Sequence, residues 1–213
     1  LGLVLMQPDL GTAVAMGVIA FIMFLVAGIR LVHLVPAILS SIPVLYALVF
    51  NVTYRRRRIL AFMNPWNDPQ GVGFQIIQSF LALGSGGLLG VGLGQSRQKL
   101  FYLPESHTDF IFSIIGEELG LAGTLSVILL FFIFIIYGTK IAVKATEIFG
   151  HLLAVGLVSM IAIEAIINIA VVTGSVPTKG LPMPFISYGG SALICNMVAV
   201  GLLLNIGKHR FRL

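Results

Sequence analysis

"FIFSIIGEELGLAGTLSVILLFFIFIIY", residues 110–137, decides what kind of molecule this is. As one helix it would be roughly 42 Å long, and from Leu119 onward it carries no charge. A helix needs about 20 apolar residues to cross the roughly 30 Å hydrocarbon core of a bilayer. Its first turns nevertheless hold Glu117 and Glu118, and "LPESHTD" (103–109), just before it, adds Glu105, His107 and Asp109. Carboxylates are costly in hydrocarbon. The helix is therefore expected to enter the lipid near Leu119. Its first two or three turns then stand above the bilayer or line a wet cavity, with Asp109 at the crown.

The rest of the chain agrees. It is 58% hydrophobic and 10% charged, with a mean hydropathy of +1.04, more apolar surface than a water-soluble domain can cover. Four further runs, roughly 10–29, 34–50, 152–172 and 190–207, have spanning length. The fold class is thus all-α integral membrane protein, a single membrane domain over 1–213 with about five transmembrane helices. A long loop, 51–109, separates the second span from the third, and a second irregular loop, "GSVPTKGLPMPFISYGG" (174–190), joins the last two. The chain opens at Leu1 without an initiator methionine and is expected to be part of something longer. Its single cysteine, Cys195, excludes an internal disulfide.

Inside the long loop, "FQIIQSFLAL" (74–83) sets Phe74, Ile77 and Leu81 at helical spacing, with Gln75, Gln78 and Ser79 toward the other face. That pattern predicts a helix lying in the membrane interface. "GSGGLLGVGLG" (84–94) resembles a phosphate cradle only superficially: no register gives G-x-G-x-x-G and no Walker lysine follows. It reads as a flexible or close-packed segment at the membrane edge. "NPWNDPQGVG" (64–73) is turn chemistry, and Asp68 is a turn residue.

The formal charge of +5 does not indicate nucleic acid, because the basic residues are scattered over helix ends and loops. Several polar groups allow two readings. Asp109 is either a helix N-cap or a functional carboxylate. His107 has no partner at metal-ligand spacing and reads as a loop histidine. Arg55, Arg56, Arg57 and Arg58 form a headgroup-bound helix end or an anion site suited to phosphate or pyrophosphate. Lys179 is the lone charge in a loop broken by Pro177, Gly180, Pro182 and Pro184, and such loops enter membranes only where they line a cavity. Glu164, with Asn168 one turn on, is a mid-span functional group or an interhelical clamp.

Three stretches together resemble the SEDS proteins (shape, elongation, division, sporulation), the FtsW and RodA glycosyltransferases of bacterial cell-wall synthesis. They are "QPDLGTA" (7–13), "YLPESHTDFIFSIIGEELG" (102–120) and "PTKGLPMPFISYGGSAL" (177–193). "PTKGLP" and "IIGEELG" look more like the division branch, FtsW. The resemblance implies the C-terminal half of a ten-helix protein of the bacterial cytoplasmic membrane, with loops 51–109 and 174–190 extracytoplasmic. It implies polymerisation of lipid II into β-1,4-linked glycan, with Asp109 as the catalytic base. Arg55, Arg56, Arg57, Arg58, Lys99, Glu105, His107 and Lys179 would bind substrate. Phe101 stands where many relatives have a polar or acidic residue. No cofactor is firmly implied, although a divalent cation, Mg2+ or Mn2+, would suit pyrophosphate; the metal ligands are unknown. Implied partners are lipid II, membrane lipids, a class B penicillin-binding protein and other division proteins. Two competing classes are a lipid II flippase, which would place its decisive residue near the midplane, where Glu164 is expected, and a non-catalytic division scaffold.

Five spans put Arg30, Lys140, Lys144, Lys208, Arg210 and Arg212 on one face and Arg55, Arg56, Arg57, Arg58, Arg97, Lys99 and Lys179 on the other. The totals barely differ, but every short basic connection lies on the first face, which is therefore expected in the cytoplasm. With Cys195→Ser as background, Asp68→Cys should react with a membrane-impermeant thiol reagent on intact cells and Thr146→Cys should not. The reverse pattern would invert the topology.

Overall fold

Glycine, proline and the acids divide the apolar runs into seven α-helices in a computed structural model that describes residues 9–98, 104 and 107–209. They are α1 (Leu10–Val26), α2 (Leu31–Phe50), α3 (Thr53–Met63), α4 (Phe74–Gly86), α5 (Ile111–Val143), α6 (Ile148–Val172) and α7 (Gly190–His209). A 3-10 turn, Pro65–Asn67, follows α3, and the described residues contain no strand. Helices α2, α5, α6 and α7 are long and apolar enough to cross a membrane, while α1 is apolar but shorter. The expected five spans are thus four long helices and one short one.

Helix α6 lies at the centre, packed by α1, α5 and α7. Near its end at Val172, a buried cluster of Phe110, Phe112, Ile114, Val171, Val172 and Met183 joins the start of α5 to the irregular loop before α7. Near its other end, Ala154 and Val158 meet Ala142 of α5 and Leu203 of α7. The first cluster fixes the two loop segments that carry the candidate site.

The overlong third span is resolved by a break. Gly120 has φ 65° and ψ −160° within α5, a region essentially restricted to glycine. Glu117 and Glu118 fall before the break. Residues 121–143 run about 34 Å beyond it, close to the roughly 30 Å of a hydrocarbon core. Helical hydrogen bonds forfeited there are replaced from the glycine-rich segment. Leu121 and Ala122 donate to the carbonyls of Gly87 and Leu88 (2.9 and 3.2 Å), while Val91 and Gly92 donate to those of Glu117 and Glu118 (2.9 and 3.0 Å). The "GSGGLLGVGLG" segment is therefore close-packed. A Cβ on Gly90 would strike the Glu118 carbonyl, and one on Gly120 would overlap the Gly90 nitrogen and the Leu88 carbonyl.

Glu117 is 2% exposed. Its carboxylate accepts from the Ser96 hydroxyl, the Arg97 N–H (3.0 Å) and the Gln98 N–H (3.4 Å). Its burial is thus compensated by hydrogen bonds.

Two expectations change. In α4 the buried side is Ile76, Ile77, Ser79, Ala82 and Gly86, whereas Leu81 is exposed. Ser79, expected on the polar face, is fully buried and donates to the Val172 carbonyl at 2.8 Å. The physical reason is that the last carbonyls of α6 lack helical partners and a serine hydroxyl satisfies one of them. Helix α4 packs on α5 through its buried side. The N-cap of α5 is also Phe110 and not Asp109; the Phe110 carbonyl accepts from the Ser113 N–H and hydroxyl.

Gly120→Ala should destabilise the protein by about 1–3 kcal/mol from backbone strain alone, before any overlap with Leu88 and Gly90. Gly201→Ala, in α7 with open space around its Cβ position, should be neutral or stabilise by up to about 1 kcal/mol. Thermal unfolding in detergent compares the two. Equal melting temperatures would remove the Gly120 break from the account of α5.

Candidate active site

A cleft of about 250 Å³ opens between the start of α1, the basic helix α3 and residues 177–180. Asp9, Tyr54, Arg55, Arg58 and Lys179 bring its charge and polarity. Helical spacing selects the arginines: Arg55 and Arg58, three apart, share the face toward the cleft. Arg56 and Arg57 are exposed and do not line it.

Each charged wall residue is held. The Arg58 guanidinium donates to the Thr178 carbonyl at 3.2 Å and sits 4.5 Å from the centroid of the Tyr54 ring, a cation–π contact. Arg55 donates to the Leu48 carbonyl at 2.8 Å, at the end of α2. Asp9 caps α1, accepting from the Thr12 N–H at 3.0 Å and from the Thr12 hydroxyl. The Lys179 stem lies over Gly11, close to where a Cβ would stand.

Lys179 and Asp9 tune one another. Burial pushes the Lys179 ammonium below the ordinary lysine value, and the Asp9 charge opposes this. For Asp9, burial favours the neutral acid, but the Thr12 and Gly11 hydrogen bonds and the Lys179 charge outweigh it. Its carboxyl sits below the usual value.

Asp109 adjoins this cleft. It is half-buried in the turn before α5, with its carboxylate Oδ2 2.9 Å from the Cβ position of Gly180. A Cβ at 180 would make that carboxylate shift. Its backbone carbonyl accepts from the Asn168 amide at 2.8 Å. His107 is exposed, and its carbonyl accepts from the Tyr188 N–H at 2.8 Å. Lys99, Phe101 and Glu105 lie outside the described residues. Glu164 is half-buried and does not line the cleft. Asp9 was not singled out from sequence as a site residue, although D-x-x-T before an apolar run is a helix-start signal.

No group of three or more His, Cys, Asp or Glu residues among those described could hold a metal ion. A divalent cation thus has no cage of protein ligands among them. The described positive charge at the cleft comes from Arg55, Arg58 and Lys179. A separate hollow of about 200 Å³, between α5 and Pro184, Phe185 and Ile186, is lined by apolar residues only.

The family description "Cell cycle protein", covering FtsW, RodA and SpoVE, matches residues 1–212. The chain is 54% identical to a probable peptidoglycan glycosyltransferase FtsW of Geobacter sulfurreducens over 97% of its length and 56% of that protein. It is 50% identical to stage V sporulation protein E of Bacillus subtilis over 97% of its length and 57% of that protein. It therefore spans about half the length of the curated relatives it matches. Among solved structures it is similar to a chain of a peptidoglycan synthase complex that coordinates polymerization and crosslinking. There the TM-score is 0.77 at 28% identity, covering 99% of this chain and 59% of that one. An aspartate-to-alanine mutant of the rod shape determining protein RodA from Thermus thermophilus is similar at TM-score 0.64 and 26% identity, over 99% of this chain and 54% of that one.

The lowered Lys179 pKa has a signed consequence. As pH rises, Lys179 loses its charge before an ordinary lysine would, so anion affinity of the cleft should fall at a lower pH than an unperturbed lysine would give. Lys179→Arg stays charged and should carry affinity to higher pH, while Asp9→Asn should move the fall to lower pH. Calorimetric titration with inorganic pyrophosphate across the alkaline range checks this. Superimposable curves for all three proteins would show that Lys179 does not contribute.

Proposed function

Since this chain belongs to the FtsW, RodA and SpoVE family of cell cycle proteins, we propose that it supplies the reacting half of a peptidoglycan glycosyltransferase. It is a multi-pass membrane protein; the proposed location is the bacterial cytoplasmic membrane, with the cleft facing outward. Lipid II would present its disaccharide-pentapeptide there on a polyprenyl pyrophosphate. The 4-hydroxyl of one sugar attacks C1 of the growing strand, a C–O bond forms with inversion, and the bond from C1 to the pyrophosphate oxygen breaks. The leaving pyrophosphate keeps the electron pair.

That displacement asks for two things: a base for the hydroxyl proton and positive charge for the leaving group. Asp109 supplies the first. Arg55, Arg58 and Lys179 supply the second, guanidinium groups being well matched to phosphate oxygens. Lys99, Glu105 and His107 are proposed to meet the substrate from the 99–108 segment, and Arg56 and Arg57 the headgroup region. A divalent cation, if used, would have to draw ligands from the pyrophosphate itself, as magnesium commonly does. The supporting observation is that the Asp109 carboxylate lies against Gly180, the residue after Lys179, at the edge of a cationic cleft.

The proposed partners follow the same line. One structural relative is part of a complex that couples polymerization to crosslinking. A class B penicillin-binding transpeptidase is accordingly proposed as companion, with other division proteins around it.

Asp109→Asn in the full-length protein, assayed with its transpeptidase on purified lipid II, should fold and bind lipid yet polymerise about 10²–10⁴-fold more slowly. Asparagine keeps the shape of the side chain and removes its basicity. Polymerisation by the variant at the parental rate would return Asp109 to a structural role. Absence of polymer from the parent, with lipid translocation intact, would favour the flippase.

A further inference from the structure

Asn168 is 1% exposed, and its amide nitrogen donates two hydrogen bonds, each 2.8 Å long, to the carbonyls of Asp109 and Leu181. One nitrogen with two hydrogens thereby joins the turn carrying the candidate base to the loop carrying Lys179. The two carbonyl acceptors fix which end of the amide is which, since only the NH2 group can donate. The side-chain oxygen is buried without a hydrogen-bond partner.

The neighbouring peptides are held in the same manner. The Ser187 hydroxyl donates to the Thr108 carbonyl and accepts from the Met183 N–H (2.7 Å). The Tyr188 N–H donates to the His107 carbonyl (2.8 Å). Three consecutive carbonyls, at residues 107, 108 and 109, are each pinned by a donor from outside their own turn. Fixing successive peptide planes leaves Asp109 little freedom in φ and ψ and so fixes where its Cβ stands, from which the carboxylate reaches Gly180.

We propose that Asn168 is a positioning residue for the reaction, holding the backbone of Asp109 in register with the Lys179 loop, with Ser187 as a second tie. This rests on the reading of Asp109 as the base. Neither Asn168 nor Ser187 needs to touch substrate. Displacing a reacting group by about 1 Å can cost about 10²-fold in rate, which is the scale on which such a clamp acts.

The test uses the full-length protein with its transpeptidase. Asn168→Asp preserves shape but removes both donors and sets an oxygen against two carbonyls; Asn168→Leu preserves bulk without polarity. Ser187→Ala removes the second tie. Each variant is assayed for thermal unfolding, for kcat and KM on lipid II, and for the separation of spin labels on His107→Cys and Tyr188→Cys in a Cys195→Ser background. The expected result is a folded protein with kcat lowered by about 10²-fold, KM unchanged and a broadened label separation. Parental kcat in a folded Asn168 variant would overturn the proposal, as would a loss carried wholly by KM. If no variant at 168 folds, Asn168 is a residue of the fold alone and the proposal fails; parental kcat in Ser187→Ala removes the second tie. The spin-label arm does not depend on turnover. A parent that makes no polymer while the labels still separate in the variants would refute the polymerase reading and the positioning role with it, and leave only a structural tie between the two loops.

Discussion

A carboxylate buried near hydrocarbon is costly unless it is hydrogen-bonded, and the structure around Glu117 follows from that constraint. Three donors from residues 96–98 meet its two oxygens. To reach them, the glycine-rich segment must press its backbone against α5, which is possible only where neither chain carries a Cβ. Gly90 and Gly120 meet that condition. The break at Gly120 then lets the first turns of α5 take their own direction, independent of the membrane-crossing part. Phe110, Phe112 and Ile114 of those turns bury against α6 and set the height at which Asp109 stands.

The spans, the two irregular loops and the projecting start of α5 were legible because hydropathy and length constrain them directly. Asp109 and Lys179 were singled out through their surrounding motifs, and the structure brings their segments together. The face of α4 was not legible: helical periodicity identifies a buried side only when the other side meets water, and near lipid both surroundings are apolar. Nor could sequence choose Arg55 and Arg58 over Arg56 and Arg57, since four consecutive arginines cover every face of a helix. From sequence the clamp reading attaches to Glu164, with Asn168 noted only as one turn on; the structure gives the two interloop hydrogen bonds to Asn168, whose partners lie in two distant loops that no local pattern specifies.

Electrostatically the cleft is unbalanced by design of its wall. Two guanidiniums and an ammonium meet one carboxylate, Asp9, which is engaged by Thr12. Asp9 therefore supports Lys179 without neutralising the cleft. Burial makes the lysine charge costly, so its attraction for an arriving anion is poorly screened by water. Arg58 is immobilised by Tyr54 and the Thr178 carbonyl before any ligand arrives. Less side-chain entropy is then lost on binding. Fixed charges of this kind stabilise a developing anion best, because they need no reorganisation as the bond breaks.

Loops are poor platforms for catalytic groups unless something rigid restrains them. Here the requirement of the membrane and the requirement of the proposed chemistry coincide. Irregular backbone near hydrocarbon must have its carbonyls and N–H groups satisfied by protein. Where a helix-borne amide satisfies two carbonyls from different loops, it also fixes the distance between those loops. Asn168 extends from the last turns of a well-packed helix whose neighbours Val171 and Val172 are in the core, so it can act as a rigid reference for both. Substituting a water for that amide would still satisfy the carbonyls but would not fix their separation. A side chain is therefore what the site needs at that point.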